Sequence, residues 1–457
     1  MTIIGKILLF QRRKLHTIIS REMIKPLSPT PSLHHTYNLS QLDLCSTHVY
    51  MPLILYYPNN EICSLTPNDK AHKIKKSLSQ SLTRYYPFAG KLHTPTTPYI
   101  DCNDEGVVFV EAKNDSKLNM FQHIRHEDDT FRQLFVDGMV WHNSSNKVSL
   151  VGVKLNHYAC GGMALAVSMS HRIGDGCTLG SFVRHWASVA RYGSTDHEEV
   201  LPFNPHFTQS PANTDFIPPD TSKLKLRCNN PVTKKFVFPN SKLCDLKNKL
   251  KDYHKSALAE CGTTLSMNNP SRSLALTSLI YKTAVAATTP RSSSFKPSFL
   301  VIPVNLRKIF VPNLPQTTAG NFITDILVMT RHESETLLSV IVSNIKKQKM
   351  ELERVQSPQQ ARQHIDSILS RLENEDLENL GNRFFWCSSL CGFGYNKVDF
   401  GWGNPAVVSI TYGSNKHTGS VLMDTPNGDG IEAWVTLEAQ DMEIFQNDKE
   451  LLSFCQS

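Results

Sequence analysis

The sequence predicts an α/β protein of more than one domain, and three observations carry the prediction. Strand-like stretches (Val107–Val110, Val148–Leu155, Met163–Ser170) alternate with apolar residues at helical spacing, such as Ile74, Leu78 and Leu82. The 457 residues exceed one ordinary core, since a domain averages about 150 residues. Residues 199–222 hold five prolines (Pro202, Pro205, Pro211, Pro218, Pro219) and no apolar period, and a second alternating pattern starts after them at Lys234-Lys235-Phe236-Val237-Phe238. The expected division is an extension over 1–23, a first domain over 24–198, a linker over 199–222 and a second domain over 223–457.

Each element has a local cause. Pro26, Pro29 and Pro31 fix φ and remove donors, so the segment from Ile24 is an extended lead-in. The helix through Ile74, Leu78 and Leu82 starts behind Asn68 or Asp69 as a cap and stops at Tyr86-Pro87. Asp104-Glu105-Gly106 is a turn into the strand at Val107. Met163 to Ser170 is a run of small and apolar residues, consistent with a buried strand, and His171 follows it directly. From about Thr178 a helix puts Leu179, Phe182, Val183, Trp186 and Ala190 on one side. His171 therefore stands at a strand-to-helix junction, a place where a rigid frame commonly carries function. Further helices are expected over Leu274–Ala287 and Glu333–Val355.

Bulk properties exclude several classes. Hydrophobic residues at 40% and charged residues at 19% exclude a disordered or fibrous chain. The net charge of +7 is mild, and Arg12-Arg13-Lys14 and Lys75-Lys76 are short and isolated, so no nucleic-acid partner is expected. The most apolar early stretch, Ile7 to Phe10, is four residues, against about 20 for a membrane span. Arg12 and Arg13 follow that stretch, the reverse of a signal peptide. The 11 cysteines include no C-x-x-C pair and read as reduced thiols of a cytoplasmic protein.

The chemistry is carried by His171-Arg172-Ile173-Gly174-Asp175-Gly176. Of 18 histidines, only His171 has Asp four positions later. A neutral imidazole can take the proton of an alcohol as it attacks a thioester, for roughly a 10²–10⁴-fold gain. The thiolate leaves easily because thiols are far more acidic than alcohols, so no covalent intermediate is required. Asp175 has two readings. In a helical turn it shares a face with His171 and orients it; in a tight loop between Gly174 and Gly176 it points away and clamps a nearby arginine. Asp399-Phe400-Gly401-Trp402-Gly403 lies 228 residues downstream of His171, with two glycines around a large apolar anchor.

Together these motifs resemble the BAHD acyltransferases, the plant coenzyme A-dependent acyltransferase family. The resemblance runs from about Ile24 to the C-terminus. It extends to Ser28-Pro29-Thr30-Pro31, Tyr86-Pro87-Phe88-Ala89-Gly90-Lys91, Asp101-Cys102-Asn103-Asp104, Cys160-Gly161-Gly162, Val304-Asn305-Leu306-Arg307 and Gly320-Asn321. It is nearest to the subgroup of vinorine synthase, capsaicin synthase and acylsugar acyltransferases. The resemblance implies two chloramphenicol-acetyltransferase-like α/β domains joined by a long crossover loop, with an active-site channel between them. It implies His171 as general base, Asp175 paired with Arg307 as structural support, and Asp399, Gly401 and Trp402 as a supporting element that shapes the channel. Ser271 and Arg272 are coenzyme A-binding candidates, with helix capping as the other role for that pair. Where many members carry Thr-Ser-Trp, this chain has Ser388-Ser389-Leu390. Ser388 keeps a hydroxyl for the oxyanion; Leu390 has no indole N–H to offer.

The expected enzyme is a monomer. It takes acyl-CoA as co-substrate and a small-molecule alcohol as acceptor, with no permanent cofactor, no metal and no membrane. The rivals are acyl transfer to an amine, a non-catalytic binding protein on the same fold, a cysteine hydrolase built on Cys177 or Cys160, and a metal-dependent transferase built on His123 and His126 beside Glu127, Asp128 and Asp129.

Overall fold

The computed structural model describes residues 16–59, 64–93, 98–118, 129–140, 149–193, 205–208, 228, 230–261, 270–291, 295–310, 312–373, 383–410 and 418–456. The N-terminal extension through residue 15, most of the Pro-rich stretch 199–222, and the segment holding His123, His126, Glu127 and Asp128 lie outside the described residues, as does the side chain of Asp129.

Two six-stranded mixed sheets form the frame. The first runs Thr17–Ile24, Val107–Asn114, Val151–Tyr158, Met163–Ser170, Tyr50–Tyr57 and Val407–Ser409. The second runs Pro231–Pro239, Gly430–Glu438, Thr418–Asp424, Phe384–Ser389, Ser298–Asn305 and Ile323–Thr330. Met163–Ser170 and Tyr50–Tyr57 are buried at every position, as strands covered on both faces must be. Among the described strands of these two sheets, one departs from chain order. Val407–Ser409 belongs to the C-terminal half but pairs antiparallel with Tyr50–Tyr57 of the first sheet.

Caps place the helices. The first long helix is Pro67–Arg84, starting one residue ahead of the expected Asn68 or Asp69. The cap is Thr66, whose hydroxyl accepts from Asp69 N–H while the Asp69 carboxylate accepts from Thr66 N–H. Asp69 is thus the third residue of a capping box, and Pro67 fills the first helical position, where no N–H is needed. The helix after His171 is Gly176–Tyr192, capped by Asp175 and closed by Gly193 at φ 79°. Its Phe182, Val183 and Trp186 bury against Ile74, Leu78 and Leu82, and the Trp186 indole donates to Ile74 O at 3.1 Å. Each such side chain contributes about 1.5–3 kcal/mol through burial.

Other expectations shift by a few residues for visible reasons. The strand expected over Val148–Leu155 is Val151–Tyr158, because Ser149 turns its hydroxyl onto the carbonyls of Gly106 and Val151. The helix expected over Glu333–Val355 divides into a 3-10 turn, Glu333–Thr336, and a helix, Leu338–Leu352, with Leu337 extended between them. Two motifs quoted from separate places meet. Thr30 N–H and hydroxyl both donate to the Asp104 carboxylate, at 2.8 and 2.7 Å. Gly106, at φ 101°, brings its backbone so close to Ile24 O that a Cβ there would sit 2.6 Å from that oxygen.

Among the described residues, no helix is long and apolar enough to cross a membrane, and no group of His, Cys, Asp and Glu is placed to hold a metal. The described cysteines are free thiols.

Candidate active site

His171 leaves the end of Met163–Ser170 with its N–H on Val49 O at 2.8 Å. Its ring lines a cavity of ≈ 170 Å³ between the two sheets. Nδ1 is 3.0 Å from Asn321 Oδ1. The Asn321 amide nitrogen donates to His171 O at 2.7 Å and to Asp43 Oδ1 at 2.9 Å, so the amide oxygen faces the ring. Nδ1 therefore carries the hydrogen, and the lone pair resides on Nε2. Burial holds the imidazole pKa below its ordinary 6.5; Asp175, Asn321 and Asp43 offset only part of that. The ring is neutral at physiological pH, as a general base must be.

Asp175 faces away from this exchange. Its carboxylate takes both Arg307 nitrogens, at 2.8 and 3.0 Å, and the backbone N–H groups of Thr178 and Phe322, at 2.9 and 3.1 Å. Both partners are essentially unexposed. Of the two readings open for Asp175, the geometry matches the clamp. Burial pushes its carboxyl pKa up, but Arg307 and the backbone donors together hold it below the usual carboxylate value. Arg307 also donates to Thr318 O and Gly320 O, so one guanidinium ties the N-terminus of the Gly176–Tyr192 helix to the loop that delivers Asn321.

The Asp399–Gly403 element lies at one remove from the cavity, and none of its residues lines it. Asp399 accepts from Gly401 and Gly403 N–H, at 2.7 and 2.9 Å, and pairs with Arg191 at 2.6 Å. Both glycines have positive φ (108° and 102°). That tight loop drives Phe400 and Trp402 into the first core against Trp186 and Tyr57. The flanking residues Tyr395 and Ile410 are the ones that reach the cavity, and the Tyr395 hydroxyl donates to Gly176 O at 2.6 Å.

Ser388 stands at the end of Phe384–Ser389 and lines the cavity with Ser389 and Leu390. The remaining wall is largely apolar: Met51, Leu179, Pro303, Ile323, Phe393 and Val421. Leu390 packs toward Gly176, where a Cβ would meet its Cδ2 at 3.0 Å. Ser271 and Arg272 do not line this cavity. Ser271 caps the Arg272–Thr288 helix, accepting from Leu274 N–H at 3.2 Å, and Arg272 bonds Asn240. The capping role is the one the geometry displays for Ser271. Cys177 lines the cavity, and burial pushes its thiol pKa up, which disfavours a nucleophilic thiolate.

Two participants had no assigned role in the sequence. Asn321 sits in the quoted Gly320-Asn321 pair, and Gly320 at φ 128° marks an unusual backbone there. Asp43 carried no signal, since it reads as one polar residue in a short helix, Gln41–Cys45. It is buried, capped by Ser40, and accepts from both the Asn321 side chain and its backbone N–H (2.7 Å). It lies 278 residues from Asn321 in sequence, a contact only the fold creates.

The family model described as the transferase family matches residues 15–452. The chain is 32% identical over 448 residues to acylsugar acyltransferase 3 of Solanum lycopersicum, covering 96% of this chain and 97% of that protein. It is 35% identical over 450 residues to akuammiline synthase 1 of Alstonia scholaris, covering 95% and 97%. The crystal structure of vinorine synthase superposes with a TM-score of 0.74 at 27% identity, over 97% of this chain and 99% of that one. Fold, site and relatives define an acyltransferase. The chain belongs to the BAHD acyltransferase family, whose members use coenzyme A-linked acyl donors.

Proposed function

We propose that this enzyme transfers an acetyl or short acyl group from coenzyme A to a hydroxyl of a small-molecule acceptor of plant specialised metabolism, such as a sugar ester, an alkaloid or a terpenoid alcohol. The observation that carries the reading is the His171–Asn321 contact, which leaves an unprotonated Nε2 on a ring lining the cavity between the sheets. Nε2 takes the hydroxyl proton as the alcohol oxygen bonds to the thioester carbon. The carbonyl becomes an oxyanion, and Ser388 donates to it. Collapse expels the coenzyme A thiolate, which recovers the proton from Nε2 and leaves as free thiol. The relative named as an acylsugar acyltransferase supports the sugar-ester acceptor, and the one named as akuammiline synthase supports the alkaloid acceptor.

Coenzyme A is read as approaching from the second half of the chain. Arg272 supplies a cation close to Cys391, which neighbours the cavity-lining Leu390, and this supports a contact with the coenzyme's phosphates. The enzyme is further read as a cytoplasmic monomer with no permanent cofactor, divided at the stretch 199–222; its free thiols support the compartment.

The deciding experiment is a screen of purified protein against acyl-CoA donors and plant alcohols, reading thiol release; no release with any pair rejects the proposal. Two further results are expected. kcat/KM should rise with pH through a midpoint below 6.5, because burial depresses the His171 pKa, and then level off. A midpoint above 6.5 would contradict a buried neutral base. Ser388→Ala should lower kcat by about 10²–10³-fold with little change in KM, as removal of an oxyanion donor does. An unchanged kcat would take the oxyanion away from Ser388.

A further inference from the structure

Among the described residues, the sheet face that closes the cavity carries a carboxylate with no hydrogen-bond or ion-pair partner. Asp325 lies opposite Pro303 in the antiparallel pairing of Ile323–Thr330 with Ser298–Asn305. Ser388 lies opposite Val421. Continuing the parallel register of Val301 with Trp386 by two residues sets Pro303 beside Ser388. Opposed residues share a face, so Asp325, Pro303, Ser388 and Val421 form one row across the sheet. The last three line the reaction cavity, as does Ile323, two residues from Asp325 on the same face. Asp325 continues that row onto the edge strand, one position beyond the residues that line the cavity.

Its carboxylate is partly exposed, and among the described residues it has no hydrogen-bond or ion-pair partner. The groups packed nearby are spent elsewhere. His364, on the Pro358–Glu373 helix, gives its Nε2–H to the Asp325 carbonyl at 3.0 Å, and Arg362 pairs with Asp366 at 3.0 Å. Burial pushes the Asp325 carboxyl up to about 6, so at neutral pH it is mostly ionised, with no protein cation among the described residues to offset its partial desolvation. The other buried carboxylates of the site differ: Asp175 is held by Arg307, and Asp43 by Ser40 and Asn321.

We propose that Asp325 recognises a cationic amine on the acceptor, so that the preferred substrates are alcohols that also carry a protonated aliphatic amine. The ammonium supplies the missing partner when the acceptor binds. A carboxylate would repel the phosphates of coenzyme A, which assigns Asp325 to the acceptor and not to the donor. The inference rests on the O-acyl transfer proposed above.

The test uses full-length enzyme, acetyl-CoA and two acceptors of one shape: a cyclohexanol bearing a dimethylaminomethyl group, and its neutral isostere bearing an isobutyl group. Thiol release is read for wild type, Asp325→Asn and Asp325→Glu. Wild type should favour the amine. Asp325→Asn should raise KM for the amino alcohol about 30-fold or more. Its kcat, its KM for acetyl-CoA and its KM for the neutral alcohol should stay at wild-type values, and Asp325→Glu should keep part of the preference. The melting temperature of Asp325→Asn should not fall, because no protein partner among the described residues is lost; a clear drop would assign the carboxylate to the fold and overturn the proposal. Thiol release with no amine preference in wild type, or equal KM changes for both acceptors, overturns the role of Asp325 alone. No release by wild type with any alcohol removes the O-acyl reading and this inference with it.

Discussion

Replacing His171 by alanine should lower the rate of acyl transfer by about 10²–10⁴-fold while acyl-CoA binding persists. The argument is local. Asn321 holds Nδ1–H, and burial keeps the ring neutral, so the cavity presents one basic nitrogen and the variant presents none. The cavity wall of Met51, Leu179, Pro303, Ile323 and Val421 is untouched by the substitution, so binding should survive. Two measurements check this: single-turnover thiol release, and equilibrium binding of acyl-CoA to the variant. A variant that turns over at the wild-type rate would leave the fold as a frame for some other chemistry. Loss of binding together with turnover would point to a collapsed site and not to a lost base.

The sequence made some of this site legible and hid the rest for physical reasons. His171 was visible because a strand of small apolar residues runs straight into it and a helix follows. The frame of alternating strands and helices was visible for the same reason, since burial imposes a period on neighbouring residues. The segment Tyr395–Ile410 was not legible as part of the first core, because nothing local to it says which sheet it joins; Val407–Ser409 pairs with Tyr50–Tyr57 across some 350 positions. Asp43 was invisible for a related reason. A buried carboxylate in a five-residue helix looks like any polar surface residue until the loop carrying Asn321 is brought against it. Ser271 carries two readings that sequence alone does not separate, a helix cap and a ligand contact; the structure displays the cap, with Leu274 N–H donating to its hydroxyl.

Breaking the Asp175–Arg307 pair should cost about 3–5 kcal/mol of folding stability, because the surviving partner is left charged and unpaired in the interior. Both side chains are essentially unexposed, and the pair is bidentate. Arg307→Met leaves the Asp175 carboxylate with only Thr178 and Phe322 donors; Asp175→Asn leaves the guanidinium without a counter-charge, with one amide oxygen at 175 besides backbone carbonyls, Thr178 and Asn305. Denaturant midpoints read at constant m-value should show the loss in both variants. The pH dependence has a definite sign. The folded pKa of Asp175 lies below its ordinary 3.8, so its contribution is complete above that value and is lost as pH falls through the folded pKa; Arg307→Met should flatten that acid limb. Activity should fall as well, because the same guanidinium holds Gly320 O and, through it, the loop that presents Asn321 to His171. The pH midpoint of kcat/KM separates support from chemistry. If Asp175 only clamps, the residual activity of Asp175→Asn keeps a midpoint close to that of wild type, moved slightly downward by the lost negative charge. A shift of several pH units, or a loss of activity with stability intact, would make Asp175 the orienting partner of the base, and the clamp reading would fall.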